Sequence, residues 1–322
     1  MLDSFFLSAN AVLPIFVIIA LGYFLRKKGL LSPTAIGEMN RLVFMIALPM
    51  LLFRNVYNAD LQSLFDAGLV IWLSACIIIC FVFLWVVSEI CLRKKPDLIG
   101  AFVQASFRSN YAIIGIPLVA NIMGENDTGL ATLAAAFIVS INNVLAAIVL
   151  TAKDSQSGGF NLKLLKEILL GICKNYATIA ILVGVLLNLG NVQLPIIVRE
   201  CINYMAVLCT PMALIAIGGS IQVADFKQHA RLAVISSSMK IVIMPLIFVA
   251  ISIWLGFRGE ELAVIFVMLA APTAIISYVM AVSMNANAPM TSAVILITTV
   301  FSPITLTMGV YLLRVLELIV VV

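Results

Sequence analysis

The chain has 322 residues, 63% of them hydrophobic and 11% charged, with a mean hydropathy of +1.18 and a formal net charge of +4. Soluble domains average about 45–50% apolar and about 25% charged residues, so this balance excludes a soluble globular protein and leaves an integral membrane protein. The length accommodates about ten spans of roughly 20 residues joined by short loops.

Taken in order, span one covers 10–25 and stops at Arg26-Lys27-Lys28. Asp3 opens the chain and the basic cluster follows the first apolar run, so no cleavable signal peptide is expected. Spans two and three cover 38–56, with Pro49 inside, and 67–90, ending at Arg93-Lys94-Lys95-Pro96. Span four, 98–123, precedes the acidic turn Glu125-Asn126-Asp127, and span five covers 130–151. A polar loop over 152–161 and an interfacial amphipathic helix over 161–174 come next. Spans six to ten cover 175–189, 196–221, 232–255, 261–284 and 290–313. With the N-terminus outside, basic residues gather in the inner loops, from Arg26 to Arg231, while Arg54, Arg199, Arg258 and Arg314 lie outside. That asymmetry predicts that both termini lie outside.

Span four carries SFRSNYAIIGIPLVANIMG from Ser106, a set of polar groups that a lipid-facing helix does not use. Pro117 removes a backbone donor and clashes with the carbonyl of Ile113, which predicts a break there, and Gly115 adds backbone freedom just before it. Freed backbone groups are tolerated at membrane depth only inside protein or around a wet cavity. Arg108 is costly at that depth unless it meets such a cavity or a partner.

An internal repeat recurs at an offset of 162: Pro49-Met50 with Pro211-Met212, Ala112-Ile113-Ile114 with Ala274-Ile275-Ile276, and Ser140 with Ser302. Five spans per half force the second half to enter from the opposite side, so the repeats are inverted. The expected fold is all-α, with ten membrane helices as two inverted five-helix repeats. The first repeat is 1–151, the connecting loop and interfacial helix 152–174, and the second repeat 175–322. The offset sets Asn110 on Pro272 and Gly115 on Ser277, so span nine should break at Pro272 near mid-bilayer. Two broken helices crossing there would present half-helix N-termini that suit an anion.

Arg108 is the candidate partner of a carboxylate, whose two oxygens its planar fork can hold. Asn110, Tyr111, Gly115, Pro117, Pro272, Thr273, Ser277 and Tyr278 complete the expected binding set, with Lys240, Asn142 and Ser302 as secondary candidates. Lys240 is expected to snorkel to the inner interface. Asn143, Thr298 and Thr305 could line the wall or simply join helices.

His229 is the single histidine and no CxxC occurs among the six cysteines, so a zinc site is not expected. Neither Walker A, HExxH nor GxSxG is present. No carboxylate falls near the middle of a span, which disfavours proteolysis and proton antiport by buried acids. The chain therefore reads as no enzyme and as needing no cofactor, with sodium or proton coupling left open.

FRSNYAIIGIPL in span four, Leu48-Pro49-Met50-Leu51 in span two and Lys240-Ile241-Val242-Ile243-Met244-Pro245 in span eight resemble the auxin efflux carrier family, whose prokaryotic members include malate or malonate permeases. The likeness covers nearly the whole chain. It implies ten helices as two inverted repeats, with spans one, two, six and seven as scaffold and the other six as a moving part. It also implies a substrate held at the crossing of broken helices four and nine and carried by an elevator-like step. By position, Asn110, Gly115 and Pro117 fall at one crossing and Pro272 at the other. The chain departs from the plant carriers in lacking a long hydrophilic central loop and an asparagine beside Pro272, which makes auxin a poor substrate candidate.

The function expected is a secondary carrier of small organic anions, mono- or dicarboxylates, by alternating access. A sodium-coupled symporter, a gated anion channel and a sensor without transport are the rivals. Expected partners are the anion and the lipid bilayer, without nucleic acid. Small-residue patches such as Gly218-Gly219 permit a homodimer.

Overall fold

A computed structural model describes residues 2–58, 67–124, 128–153, 176–221 and 226–320. The acidic turn at 125–127 and the interfacial helix expected over 161–174 lie outside these residues. The described residues form helices throughout, apart from one isolated bridge between Ser109 and Thr273.

In chain order these are α1 (Leu2–Lys27), α2 (Pro33–Tyr57), α3 (Ala67–Cys91), α4a (Pro96–Phe107), α4b (Tyr111–Met123) and α5 (Gly129–Lys153). There follow α6 (Tyr176–Leu189), α7 (Ile196–Ser220), α8 (226–254), α9a (Gly259–Ala270), α9b (Ile276–Ser283) and α10 (Ala288–Val315). Seven of them, α1, α2, α3, α5, α7, α8 and α10, are long and apolar enough to cross a membrane. The chain is an integral membrane protein. Its boundaries follow local signals: α2 begins with Ser32 accepting from the Ala35 amide and Pro33 in the first turn, and α1 ends on basic residues.

Three prolines are absorbed inside helices by a widened turn. In α2, α4b and α8 a five-residue π-turn (Val43–Ala47, Tyr111–Gly115, Met239–Ile243) comes two residues before Pro49, Pro117 and Pro245. After each one, Leu48, Ile116 and Met244 donate five residues back, to the carbonyls of Val43, Tyr111 and Met239. The longer turn makes room for the proline ring against the preceding carbonyl, and the helix runs on. Pro117 therefore does not break span four as its sequence suggests. The break lies upstream, at Arg108–Asn110, where Arg108 leaves the helix at ψ 119. Span nine does break at the expected proline: Ala271 turns to ψ 145 and the helix resumes at Ile276.

Packing gathers most helices into two sets, joined by a close contact between α1 and α10. The first is α1 against α7, with α2 against both α6 and α7. In the second, α4a sits among α3, α5 and α10, and α9a among α8, α10 and α4b. Leu98 to Phe107 of α4a and Leu262 to Ala270 of α9a are all buried, so the half-helices are shielded from lipid by the longer helices.

Candidate functional site

The two breaks pair with one another. Ser109 and Thr273 form an antiparallel bridge; the Asn110 amide donates to the Pro272 carbonyl at 2.8 Å and the Ala274 amide to the Arg108 carbonyl at 3.3 Å. Both bridging residues carry a hydroxyl, and each uses it to cap the opposite half-helix. Thr273 Oγ1 donates to the Ala105 carbonyl of α4a at 2.7 Å, and Ser109 Oγ donates to the Met268 carbonyl of α9a. These are carbonyls that a helix end leaves without a backbone partner. The Thr273 amide is taken in turn by Thr298 Oγ1 of α10 at 3.2 Å.

A cavity of about 320 Å³ opens beside this crossing. Its polar wall is Arg108, Ser109, Asn110 and Tyr111 with Ser140, Asn142 and Asn143 of α5. The opposite wall is mostly apolar, with Phe44, Leu48 and Leu52 of α2 and Ile181 of α6, joined by Tyr176 and Thr178 of α6. The cavity thus lies between the two sets of helices. Arg108 is 3% exposed, donating to Asn143 Oδ1 and to Met280 Sδ, with no carboxylate partner among the described residues. Tyr111 Oη and Asn142 Oδ1, on residues of this wall, are buried atoms without a hydrogen-bond partner. The first-turn amides of α4b, at Tyr111, Ala112 and Ile113, belong to residues of the same wall, and the intrahelical bonds begin only at Ile114, which donates to the Asn110 carbonyl at 3.0 Å. One guanidinium without a carboxylate partner among the described residues, beside the first-turn amides of α4b at one end of the chamber, suits a small anion.

The expected residues divide as follows. Arg108, Asn110, Tyr111 and Asn142 line this cavity, and Ser109, Ser140 and Asn143 join them. Tyr278 lines a separate cleft with Arg26, Asn40 and Ser220. Pro272 and Thr273 are at the crossing, with the Thr273 hydroxyl committed to backbone. Ser277 is buried with its hydroxyl unpartnered, its carbonyl accepting from Gln104 at 3.0 Å. Ser302 donates to the Thr298 carbonyl at 2.5 Å, a bond within its own helix. Gly115 has an ordinary helical backbone (φ −68), so its value is space: a Cβ there would come 2.3 Å from the Tyr111 ring. Pro117 falls in the first turn of the regular helix after the π-turn.

Lys240 does not snorkel. It is 2% exposed and turns inward behind the crossing, donating to Ser109 Oγ at 2.6 Å and to the Leu269 carbonyl at 2.5 Å. The residues that sequence reasoning left out were the apolar wall from α2 and α6 and the capping hydroxyl of Ser109. The break expected at Pro117 lies eight residues beyond Ser109, so no local signal marked that serine as a cap.

Comparison with known proteins agrees with a transport role. A family model described as membrane transport protein matches residues 7–310. An uncharacterised transporter of Methanothermobacter thermautotrophicus is 24% identical over 314 residues, 93% of this chain and 96% of its own length. A Rhizobium meliloti protein provisionally named a malonate transporter is 25% identical over 314 residues, 94% of this chain and 95% of its own. The uncharacterised transporter YfdV of Escherichia coli K12 is 24% identical over 276 residues, 85% of this chain and 87% of its own.

Proposed function

The chain belongs to the membrane transport protein family, that of the auxin efflux carriers, and from this premise we propose that it is a secondary carrier of small organic anions. One observation carries the reading: Arg108, buried and without a carboxylate partner among the described residues, lines a cavity beside two crossed helix breaks. A mono- or dicarboxylate places its charge on Arg108 and the first-turn amides of α4b and its body against Phe44, Leu48 and Leu52. The Rhizobium relative's name makes malonate a sensible first probe.

The architecture we infer is ten spans in two inverted repeats, α1–α5 and α6–α10. Reciprocal capping by Ser109 and Thr273 supports it, although those residues correspond at an offset of 164 rather than 162. In this reading α1, α2, α6 and α7 form the scaffold, and the remaining helices carry the anion across the membrane as a unit. The basic loops face the cytoplasm of a bacterial cell.

The test is thermal stability of purified protein with malate, malonate, lactate, succinate and indole-3-acetate, beside Arg108→Ala. An anion that stabilises the wild type but loses at least about tenfold in affinity for the variant supports the reading, since hydrogen bonds to a charged group are worth about 1.5–3 kcal/mol. Failure of every carboxylate removes the substrate class. Discrete single-channel currents in planar bilayers would establish a channel instead.

A further inference from the structure

Broken helices in transporters commonly gather unwound carbonyls and half-helix C-termini around a coupling sodium ion. Here the same kind of place exists at the end of α9a. Its last carbonyls point out of the helix with no backbone donors ahead of them, and the negative end of the half-helix dipole lies there. Met268 O accepts from Ser109 Oγ, and Leu269 O accepts from Lys240 Nζ at 2.5 Å. Lys240 Nζ also donates to Ser109 Oγ at 2.6 Å. The hydroxyl of Ser109 thus faces a cation with its lone pair while its proton goes to Met268 O. Two oxygens from the two breaks meet one buried positive charge, and no carboxylate is among its partners in the described residues.

We propose that the C-terminal end of α9a is a cation site whose resident occupant is the ammonium of Lys240. A tethered cation there needs no exchange with solution. It holds the crossing together through the whole transport cycle, so the carrier moves its anion without sodium at this position. Lys240 is a positioning residue in this account: it touches the breaks, and Ser109, Arg108 and Asn110 between them touch the cavity. The geometry also accounts for the lysine's inward turn, because a snorkelling ammonium would leave Leu269 O unpaired at bilayer depth.

The test uses the full chain purified in detergent and exchanged, at equal ionic strength, into sodium, potassium, choline or methylammonium chloride. Thermal unfolding of the unaltered protein is expected to be the same in sodium and choline. Lys240→Ala is expected to melt several degrees lower in choline and to recover at least half of that loss in methylammonium, with partial recovery in sodium. Choline is too large to enter and serves as the blank. Stabilisation of the unaltered protein by sodium over choline overturns the proposal, as does a folded K240A protein indifferent to both small cations. Should K240A not fold, the sodium comparison on the unaltered protein still decides. These arms involve no organic anion, so they stand even where the carrier reading fails. A second arm, uptake of radiolabelled malonate into proteoliposomes, rests on that reading. It should be sodium-independent in the unaltered protein, and a flux at least about tenfold greater in sodium overturns the tethered-cation account.

Discussion

Tyr111 and Gly115 show how one residue's identity is fixed by another. The tyrosine ring is 1% exposed and lies where a Cβ on Gly115 would sit, 2.3 Å from Cδ2 and 2.9 Å from Cε2. Gly115→Ala therefore forces the ring to move, and overpacking of this kind costs about 1–3 kcal/mol. Since Tyr111 lines the cavity, the displaced ring should also reshape it, and under the proposed carrier function anion affinity should fall with stability. Adding Tyr111→Leu relieves the clash. The double variant should then be more stable than the two single losses predict, a coupling that melting temperatures of the four proteins would measure. Simple additivity would show that the glycine answers to something else. The same pair marks what the sequence could not show at this scale. A glycine chosen for space and one chosen for backbone freedom look alike in a string of letters, and the deciding neighbour is known only once the π-turn brings Tyr111 over Gly115. Lys240 posed a similar ambiguity, because the carbonyl that holds it inward belongs to Leu269.

Among the elements, span limits were legible because they rest on local chemistry. Apolar length and flanking charge placed 67–90 against an observed Ala67–Cys91, and 196–221 against Ile196–Ser220. The break in span four was legible as a feature and misplaced in position. Pro117 is a local signal that a π-turn accommodates, whereas Arg108–Asn110 leaves the helix to pair with the other break more than 160 positions away, which no local signal reports. Gly218-Gly219 likewise looked free to pack against a second copy, yet both glycines are used within the chain. A Cβ on Gly218 would meet the Ile19 carbonyl at 1.8 Å, and one on Gly219 would meet the Ile36 side chain at 2.7 Å. Gly22 is the reciprocal contact, 2.1 Å from the Ile215 carbonyl, so α1 and α7 approach backbone to backbone. Backbone cannot swing aside as a side chain can. Gly218→Ala should therefore cost at least the 1–3 kcal/mol of ordinary overpacking, seen as a lower melting temperature and a poorer yield of folded protein. Gly37→Ala is the matched control, with nothing within 4 Å of the added carbon; it should be neutral or slightly stabilising in its helix. Equal behaviour of the two variants would remove close α1–α7 packing as the reason for the glycines.

For the molecule as a whole, the consequential surface is the one between the two sets of helices. The cavity beside the crossing lies on it, with α2 and α6 on one side and α4b and α5 on the other. So does the second cleft, of about 240 Å³, where Arg26, Asn40, Ile217 and Ser220 face Ile275, Tyr278, Ser292 and Leu296. Both clefts open on this one boundary, although α1 and α10 pack closely across it. The hydrogen bonds of the crossing among Ser109, Thr273, Lys240 and α9a all stay within one set, so a slide along this boundary would leave them intact. The elevator reading requires that slide; a channel or a rigid sensor does not. Cysteines introduced as Ser220→Cys and Ser292→Cys, in a background with the native cysteines replaced, would place one thiol on each side of the second cleft. Bridging them with a short bifunctional thiol reagent should stop anion flux in proteoliposomes by at least about tenfold, as expected when a conformational step limits turnover. Equilibrium binding of the same anion should persist, because the cavity at the crossing does not include either position. Cleavage of a reducible bridge should restore the flux. Undiminished transport through a complete crosslink would mean that the two sets do not move past one another here, and the substrate would have to cross by gates within the second set alone.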